Sequence, residues 1–216
     1  MTVYDRKDHF YQRAKREGYR SRAAFKLLEI QQSQRLLRPG QRVVDLGCWP
    51  GGWLQVAAQA VGPKGRIVGV DLAAIDPPLN NENVIAFCAD LTQPSVVEEL
   101  IERLGGPADV VLSDAAPKLT GIRAVDQARE GALLEAVEAL LGDLLSAGGT
   151  LLVKILDGSD AVLVDRRLRR QFETAKTVKP SASRPGSSER YLLGRGYKGP
   201  VGPADGPSQP TARSQS

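Results

Sequence analysis

The chain has 216 residues, of which 42% are hydrophobic and 25% charged, with a net charge of +4. That length suits one well-cored domain, and the composition excludes a fibrous or wholly disordered chain. Two cysteines and one histidine are too few for a disulfide framework or a structural zinc site. The opening "MTVYDRKDHF" lacks the pattern of a signal peptide, and the leucine-rich "ALLEAVEALLGDLL" is broken by acids, so no membrane span and a cytoplasmic location are expected.

Charge is unevenly distributed. Residues 1–38 are net +6, residues 39–165 net −10 and residues 166–199 net +8. Two basic segments on one side of a fold would make a face suited to a phosphate backbone.

In chain order, residues 5–17 read as a basic helix carrying Phe10, Tyr11 and the surface histidine His9. Ser21 is placed to cap a second helix whose apolar stripe is Ala24, Leu27, Leu28 and Ile30. Pro39-Gly40 ends this basic N-terminal helical segment, residues 1–38. Strand patterns at 42–48, 66–72, 83–90, 108–116 and 149–156 then alternate with helical patterns at 52–60, 95–104, 125–145 and 160–172. This alternation predicts an α/β, doubly wound, Rossmann-like sheet that is mostly parallel and covered on both faces. "TAKTVKP" and "SERYLLGRGY" add a closing pair, bringing the sheet to seven strands with one antiparallel edge strand and ending the domain near residue 198. Cys48 and Cys88 fall within the strand patterns and read as small buried hydrophobes. Residues 199–216 are rich in Pro, Gly and Ser and are expected to be a disordered tail.

The first strand runs into "VVDLGCWPGGW", a glycine turn of the kind that holds an adenosine-containing cofactor. Asp71, ending the second strand, is placed for ribose hydroxyls. A dinucleotide fingerprint starting at Gly47 would need glycine where Trp49 stands, and Pro50 removes a backbone donor. That counts against a nicotinamide-dependent dehydrogenase. A phosphate-free, cationic cofactor, S-adenosylmethionine, tolerates the bulkier loop, with Asp45 toward its ammonium, Asp71 toward its ribose and Asp90 toward its adenine. Trp53 either walls that pocket or packs on the sheet.

In "GGTLLVKILDG" a lysine interrupts an apolar strand. Lysine is seldom fully buried without a partner, so Lys154 either snorkels from a strand edge or has a chemical role. Asp114, in "LSDAAP", ends the neighbouring strand at the edge where open α/β sheets bind ligands. Methyl transfer to a hydroxyl needs a group that takes the hydroxyl proton. A lysine serves where burial and nearby cations favour its neutral form. With one histidine, Ser-His or Cys-His nucleophilic catalysis has no candidate base.

"RSRAAFKLLEI", "VVDLGCWPGGW", "LSDAAP", "LLVKILDG" and "SSERYLLGRGY" occur in an order that resembles the FtsJ/RlmE family of ribose 2′-O-methyltransferases, over residues 5–198. The resemblance implies a Lys-Asp-Lys-Glu tetrad at Lys26, Asp114, Lys154 and Glu189, with Lys154 as general base. It implies S-adenosylmethionine contacts at Gly51, Trp53, Asp71, Asp90 and Asp114, joined by Asp45 and Gly47 from the loop. One departure is "CWP", where many members have two alanines before the proline. The resemblance further implies a uridine ribose in the A loop of 23S rRNA, within the large ribosomal subunit, as substrate of a monomeric enzyme. Arg13, Lys15, Arg16, Arg20, Arg22, Arg166, Arg167, Arg169 and Arg170 would follow RNA phosphates without reading bases. The alternatives are a tRNA ribose methyltransferase and a non-catalytic RNA-binding assembly factor.

Overall fold

A computed structural model describes residues 9–118, 120–155, 158–183 and 189–201. Most of the expected tail, residues 202–216, and the first residues of the leader lie outside this set. The elements run α1 (His9–Glu17), α2 (Ala24–Gln34), β1 (Arg42–Leu46), α3 (Gly52–Val61), β2 (Arg66–Asp71), β3 (Val84–Cys88) and α4 (Ser95–Leu104). They continue with β4 (Ala108–Ser113), α5 (Arg123–Leu144), β5 (Leu145–Ile155), α6 (Ser159–Arg170), β6 (Phe172–Val178) and β7 (Arg190–Tyr197). One seven-stranded sheet has the order β3-β2-β1-β4-β5-β7-β6. This is the expected doubly wound α/β architecture. The antiparallel strand, β7, pairs with both β5 and β6, so it lies one place in from the edge. The crossover through α6 skips a place beside β5, and β7 fills it.

The sheet separates two cores. Val44, Val111, Leu151 and Leu192 face α4, α5 and α6, whereas Val43, Val110, Leu152 and Tyr191 face α2 and α3. Such side-to-side alternation follows from the two-residue period of a strand. It also explains why the strand sequences are apolar throughout: both faces are covered. The α2 and α6 segments pack on opposite faces of the sheet, since Leu27 and Ile30 belong to one core and Val164 and Leu168 to the other. The α6 arginines therefore lie across the sheet from α2, whereas the later part of the second basic segment reaches the α2 side, where Arg22 donates to the Ala182 carbonyl and Lys26 pairs with Glu189.

Two local expectations are corrected. Ser21 does not cap α2; the helix starts at Ala24 behind an uncapped Ala23, and the Ser21 hydroxyl instead sits where a Cβ on Gly52 would collide with it. Ser21 thus docks the N-terminal segment onto the first turn of α3. Cys48 lies beyond β1, buried in the following loop, and Cys88 is exposed at the end of β3.

Register sets the site. Leu46 pairs with Ser113, and Ser113 with Val153, so Asp114 and Lys154 leave the same edge of the sheet on neighbouring strands. Lys154 is paired directly with Tyr191 across the antiparallel ladder.

Candidate active site

At the carboxyl edge of the sheet, β1 turns into α3 through Gly47 and Gly51, both with positive φ (82° and 105°). Gly47 has no substitute here, because a Cβ would stand 2.6 Å from the Ala115 Cα. The loop is tied to β2 by the Trp49 amide, which donates to Asp71 Oδ2 (3.0 Å), while Asp71 Oδ1 accepts from the Ala73 amide (3.0 Å). Beside the loop opens a cleft of about 730 Å³, bordered by Gly47, Trp49, Asp71, Asp90, Asp114 and Lys118. Asp90 is exposed there, and the backbone amide and then the hydroxyl of Thr92 hold its carboxyl below the ordinary range.

Asp45 lies beneath this floor, fully buried, and neither carboxylate oxygen has a hydrogen-bond partner among the described residues. Burial, and then the Asp114 and Asp71 carboxylates, push its pKa well above the ordinary range. A buried carboxylate without a partner is costly. It fits a ligand that brings a cation. The donor set here, three aspartates around a glycine turn with no lysine or arginine on the loop itself, suits a cationic nucleoside cofactor better than a pyrophosphate. Burial and the Asp45 carboxylate also raise the Cys48 thiol far above its ordinary pKa, so it supplies no thiolate.

Lys26 from α2, Asp114 from the end of β4, Lys154 from β5 and Glu189 just before β7 converge into one cluster. Lys154 Nζ donates to the Asp114 carbonyl (2.7 Å) and stands 3.1 Å from Asp114 Oδ1. Lys26 Nζ is 2.7 Å from Glu189 Oε1 and 3.7 Å from Asp114 Oδ2. The four side chains are 7–17% exposed, so these pairs act at low dielectric and hold each other in register. Two ammonium groups balance two carboxylates, which is what makes burying all four tolerable.

Two further residues complete the cluster and were not singled out from sequence. Tyr191 is wholly buried; its hydroxyl donates to Asp114 Oδ1 (2.8 Å) and more weakly to Glu189 Oε1 (3.4 Å). Burial and those carboxylates raise its pKa well above the ordinary value, so it stays a donor. The Ser183 hydroxyl donates to Glu189 Oε1 (3.0 Å). The signal for Tyr191 is its register opposite Lys154, which only the β5–β7 pairing reveals.

Other expected contacts are placed differently. Trp53 is buried against Tyr191 (ring centroids 5.8 Å apart), and its indole N–H donates to the Ala23 carbonyl (2.9 Å), so it packs behind the loop and does not border the cleft. Gly51 faces Arg20, whose guanidinium donates to the Pro78 carbonyl (3.0 Å). Arg22 donates to the Ala182 carbonyl (2.7 Å), and Arg13 pairs with Glu17 (2.7 Å). Lys15 and Arg16 are exposed on α1. On the other face, Arg167 is held by Glu138 (2.7 Å) and Arg169 by Asp165 (3.1 Å), leaving Arg166 and Arg170 as the exposed pair of α6. Among the described residues no group of acids, histidines or cysteines could hold a metal ion, and no helix is long and apolar enough to cross a membrane.

Comparison with known proteins agrees with this geometry. A protein of Methanothermobacter thermautotrophicus named ribosomal RNA large subunit methyltransferase E is 45% identical over 194 residues, covering 90% of this chain and 92% of that protein. One of the same name from Acidithiobacillus ferrooxidans is 47% identical over 193 residues, covering 89% of this chain and 87% of that protein. A solved ribosomal RNA methyltransferase structure from Plasmodium falciparum superposes with a TM-score of 0.72 at 29% identity, covering 84% of this chain and 100% of the other. Fibrillarin from Aeropyrum pernix, solved with bound S-adenosyl-L-methionine, shares the fold, with a TM-score of 0.58 at 17% identity over 82% of this chain and 75% of that one. The FtsJ-like methyltransferase model matches residues 19–197, a span that takes in every element supplying the cleft and the paired lysines, and the chain belongs to that family.

Proposed function

We propose that this protein methylates the 2′-hydroxyl of a uridine ribose in the A loop of 23S rRNA, within the large ribosomal subunit, using S-adenosylmethionine. The observation that carries this reading is the buried Lys26–Asp114–Lys154–Glu189 cluster, whose Asp114 borders a cleft lined by Asp71 and Asp90, with Asp45 buried beneath. The large-subunit rRNA names of relatives at 45–47% identity support the substrate.

When bound, the cofactor supplies an electrophilic methyl group on a cationic sulfonium. Asp45 would hold its ammonium group, Asp71 its ribose hydroxyls and Asp90 its adenine. Lys154 Nζ takes the proton of the ribose hydroxyl as that oxygen becomes nucleophilic. Asp114 fixes Lys154 twice, through its carbonyl and its carboxylate, so the nitrogen is aimed before substrate arrives. Lys26, clasped by Glu189, stands beside the second carboxylate oxygen of Asp114 and helps fix the group that aims Lys154.

The test offers labelled S-adenosylmethionine with large subunits, small subunits or tRNA. Label in large subunits, recovered as alkali-resistant dinucleotides, is expected. Label in tRNA alone would overturn the rRNA substrate, and no transfer to any RNA would favour a binding module. The Lys154→Ala variant is expected to keep its fold and cofactor affinity and to lose transfer by roughly a hundredfold or more. Near-normal turnover would remove Lys154 from the mechanism.

A further inference from the structure

Trp49 lines the cleft, yet the chemistry above makes no use of its ring. Its backbone N–H donates a hydrogen bond to the Asp71 carboxylate, and the loop closes behind it through the Gly51 amide, which donates to the Cys48 carbonyl (2.7 Å). So the ring is presented from a fixed base. It nevertheless stays 58% exposed, whereas the second tryptophan, Trp53, is 3% exposed with its N–H satisfied. Phe10, Phe25, Tyr19, Tyr191, Phe172 and Tyr197 pack against one another or against Trp53, Phe87 lies under the Arg103 guanidinium, and Tyr11 is exposed on α1, away from the cleft. Among the described residues, Trp49 is the one aromatic side chain that borders the cleft. Leu72, 77% exposed, borders the same cleft.

The charge around the ring points to its partner. The cleft wall is acidic at Asp71, Asp90 and Asp114 and repels phosphates. The rim is cationic: Lys118 and Arg129 border the cleft, joined by the Arg129 guanidinium donating to the Lys118 carbonyl (3.1 Å), and Arg20 lies against the loop at Gly51. A nucleic acid strand therefore meets the rim, with phosphates on the cations and its uncharged bases free to find an apolar face. A flat indole offers that face, and every base can stack on it, so it adds affinity without reading sequence.

We propose that Trp49 is a stacking platform for a nucleobase of the RNA strand, and so positions the substrate ribose at Lys154. This rests on the RNA-methylating reading above. Trp49→Leu is expected to raise the KM for large subunits about tenfold or more, with kcat held and the calorimetric Kd for S-adenosylmethionine within about twofold of wild type. Trp49→Phe restores most of the loss. A second readout needs no turnover. The chain has two tryptophans, one exposed and one buried, so a short oligouridylate is expected to quench the emission of the wild-type protein and to leave that of Trp49→Leu unchanged. An unchanged KM with no quenching would overturn the proposal. So would a matched loss of cofactor affinity without quenching, which would assign the ring to the cofactor. If the wild-type protein methylates no RNA yet oligouridylate quenches Trp49, the reaction fails while the stacking platform stands.

Discussion

Replacing Asp45 by Asn should stabilise the cofactor-free protein while weakening it as an enzyme. Asp45 is fully buried, both oxygens lack a hydrogen-bond partner among the described residues, and Asp114 and Asp71 add like charge. Its folded pKa is therefore raised above the unfolded value, close to 3.9. A carboxyl of this kind binds its proton more tightly in the native state. It contributes its full stability below the unfolded pKa, and that contribution is lost as pH rises through the folded pKa. Each pH unit inside that window costs about 1.4 kcal/mol. That slope corresponds to about 3–6 °C in melting temperature per pH unit for a domain of this size. Asn reproduces the neutral form at every pH, so the variant should melt higher than wild type, by a gap that widens from about pH 4 upward. Scanning calorimetry from pH 5 to 8 without cofactor measures it. Isothermal titration should show S-adenosylmethionine bound about tenfold more weakly or worse, the scale of one charge-assisted hydrogen bond. A variant that melts below wild type by the same amount at every pH would refute the reasoning, because it would mean that the buried charge is already compensated.

Tyr191→Phe keeps the packing on Trp53 but removes the donor to Asp114; we expect about 1.5–3 kcal/mol lost from that carboxylate's support and a slower single-turnover rate with unchanged cofactor affinity. Glu29 is pushed up by burial, but the Ser181 amide and hydroxyl and the Ala182 amide outweigh this and hold its pKa below the ordinary value. Its contribution is thus present above the unfolded carboxyl pKa and fades as pH falls through the folded one; the urea midpoint of Glu29→Gln should approach wild type on acidification, and a constant gap would contradict this. Gly47→Ala forces a Cβ into the Ala115 backbone at positive φ, and should abolish cofactor binding by calorimetry together with a lower melting temperature.

Much of this molecule can be read from the chain because its signals are local. Five apolar runs alternating with amphipathic stretches dictate parallel strands with crossovers, and topology alone brings Asp114 beside Lys154. Lys26 and Glu189 are not legible in that way. Each looks like an ordinary surface residue until α2 and the β7 lead-in meet over the sheet edge, and only the family resemblance singled them out. Tyr191 depends on the antiparallel register of a strand far along the chain, which no periodicity encodes. Ser21 has the right chemistry for a cap, but the turn before α2 uses its hydroxyl against Gly52 instead, a tertiary demand overriding a local preference. The basic runs were correctly located, yet their net charge said nothing of sheet faces: Arg167 and Arg169 are spent on acids of their own layer.

The position of β7 has a consequence for how the enzyme comes into being on the ribosome. Among the described strands this one emerges last in synthesis, yet it belongs between β5 and β6, which precede it. Until residues 190–197 are released, β5 from Thr150 to Ile155 is an apolar strand with an open edge, the sort of surface that recruits chaperones or aggregates. Insertion of β7 closes that edge and in the same movement delivers Glu189 to Lys26 and Tyr191 to Asp114. A chain stalled before β7 therefore keeps an open strand edge and lacks two members of the buried cluster. The cluster at the sheet edge is complete only once the chain has been made through β7.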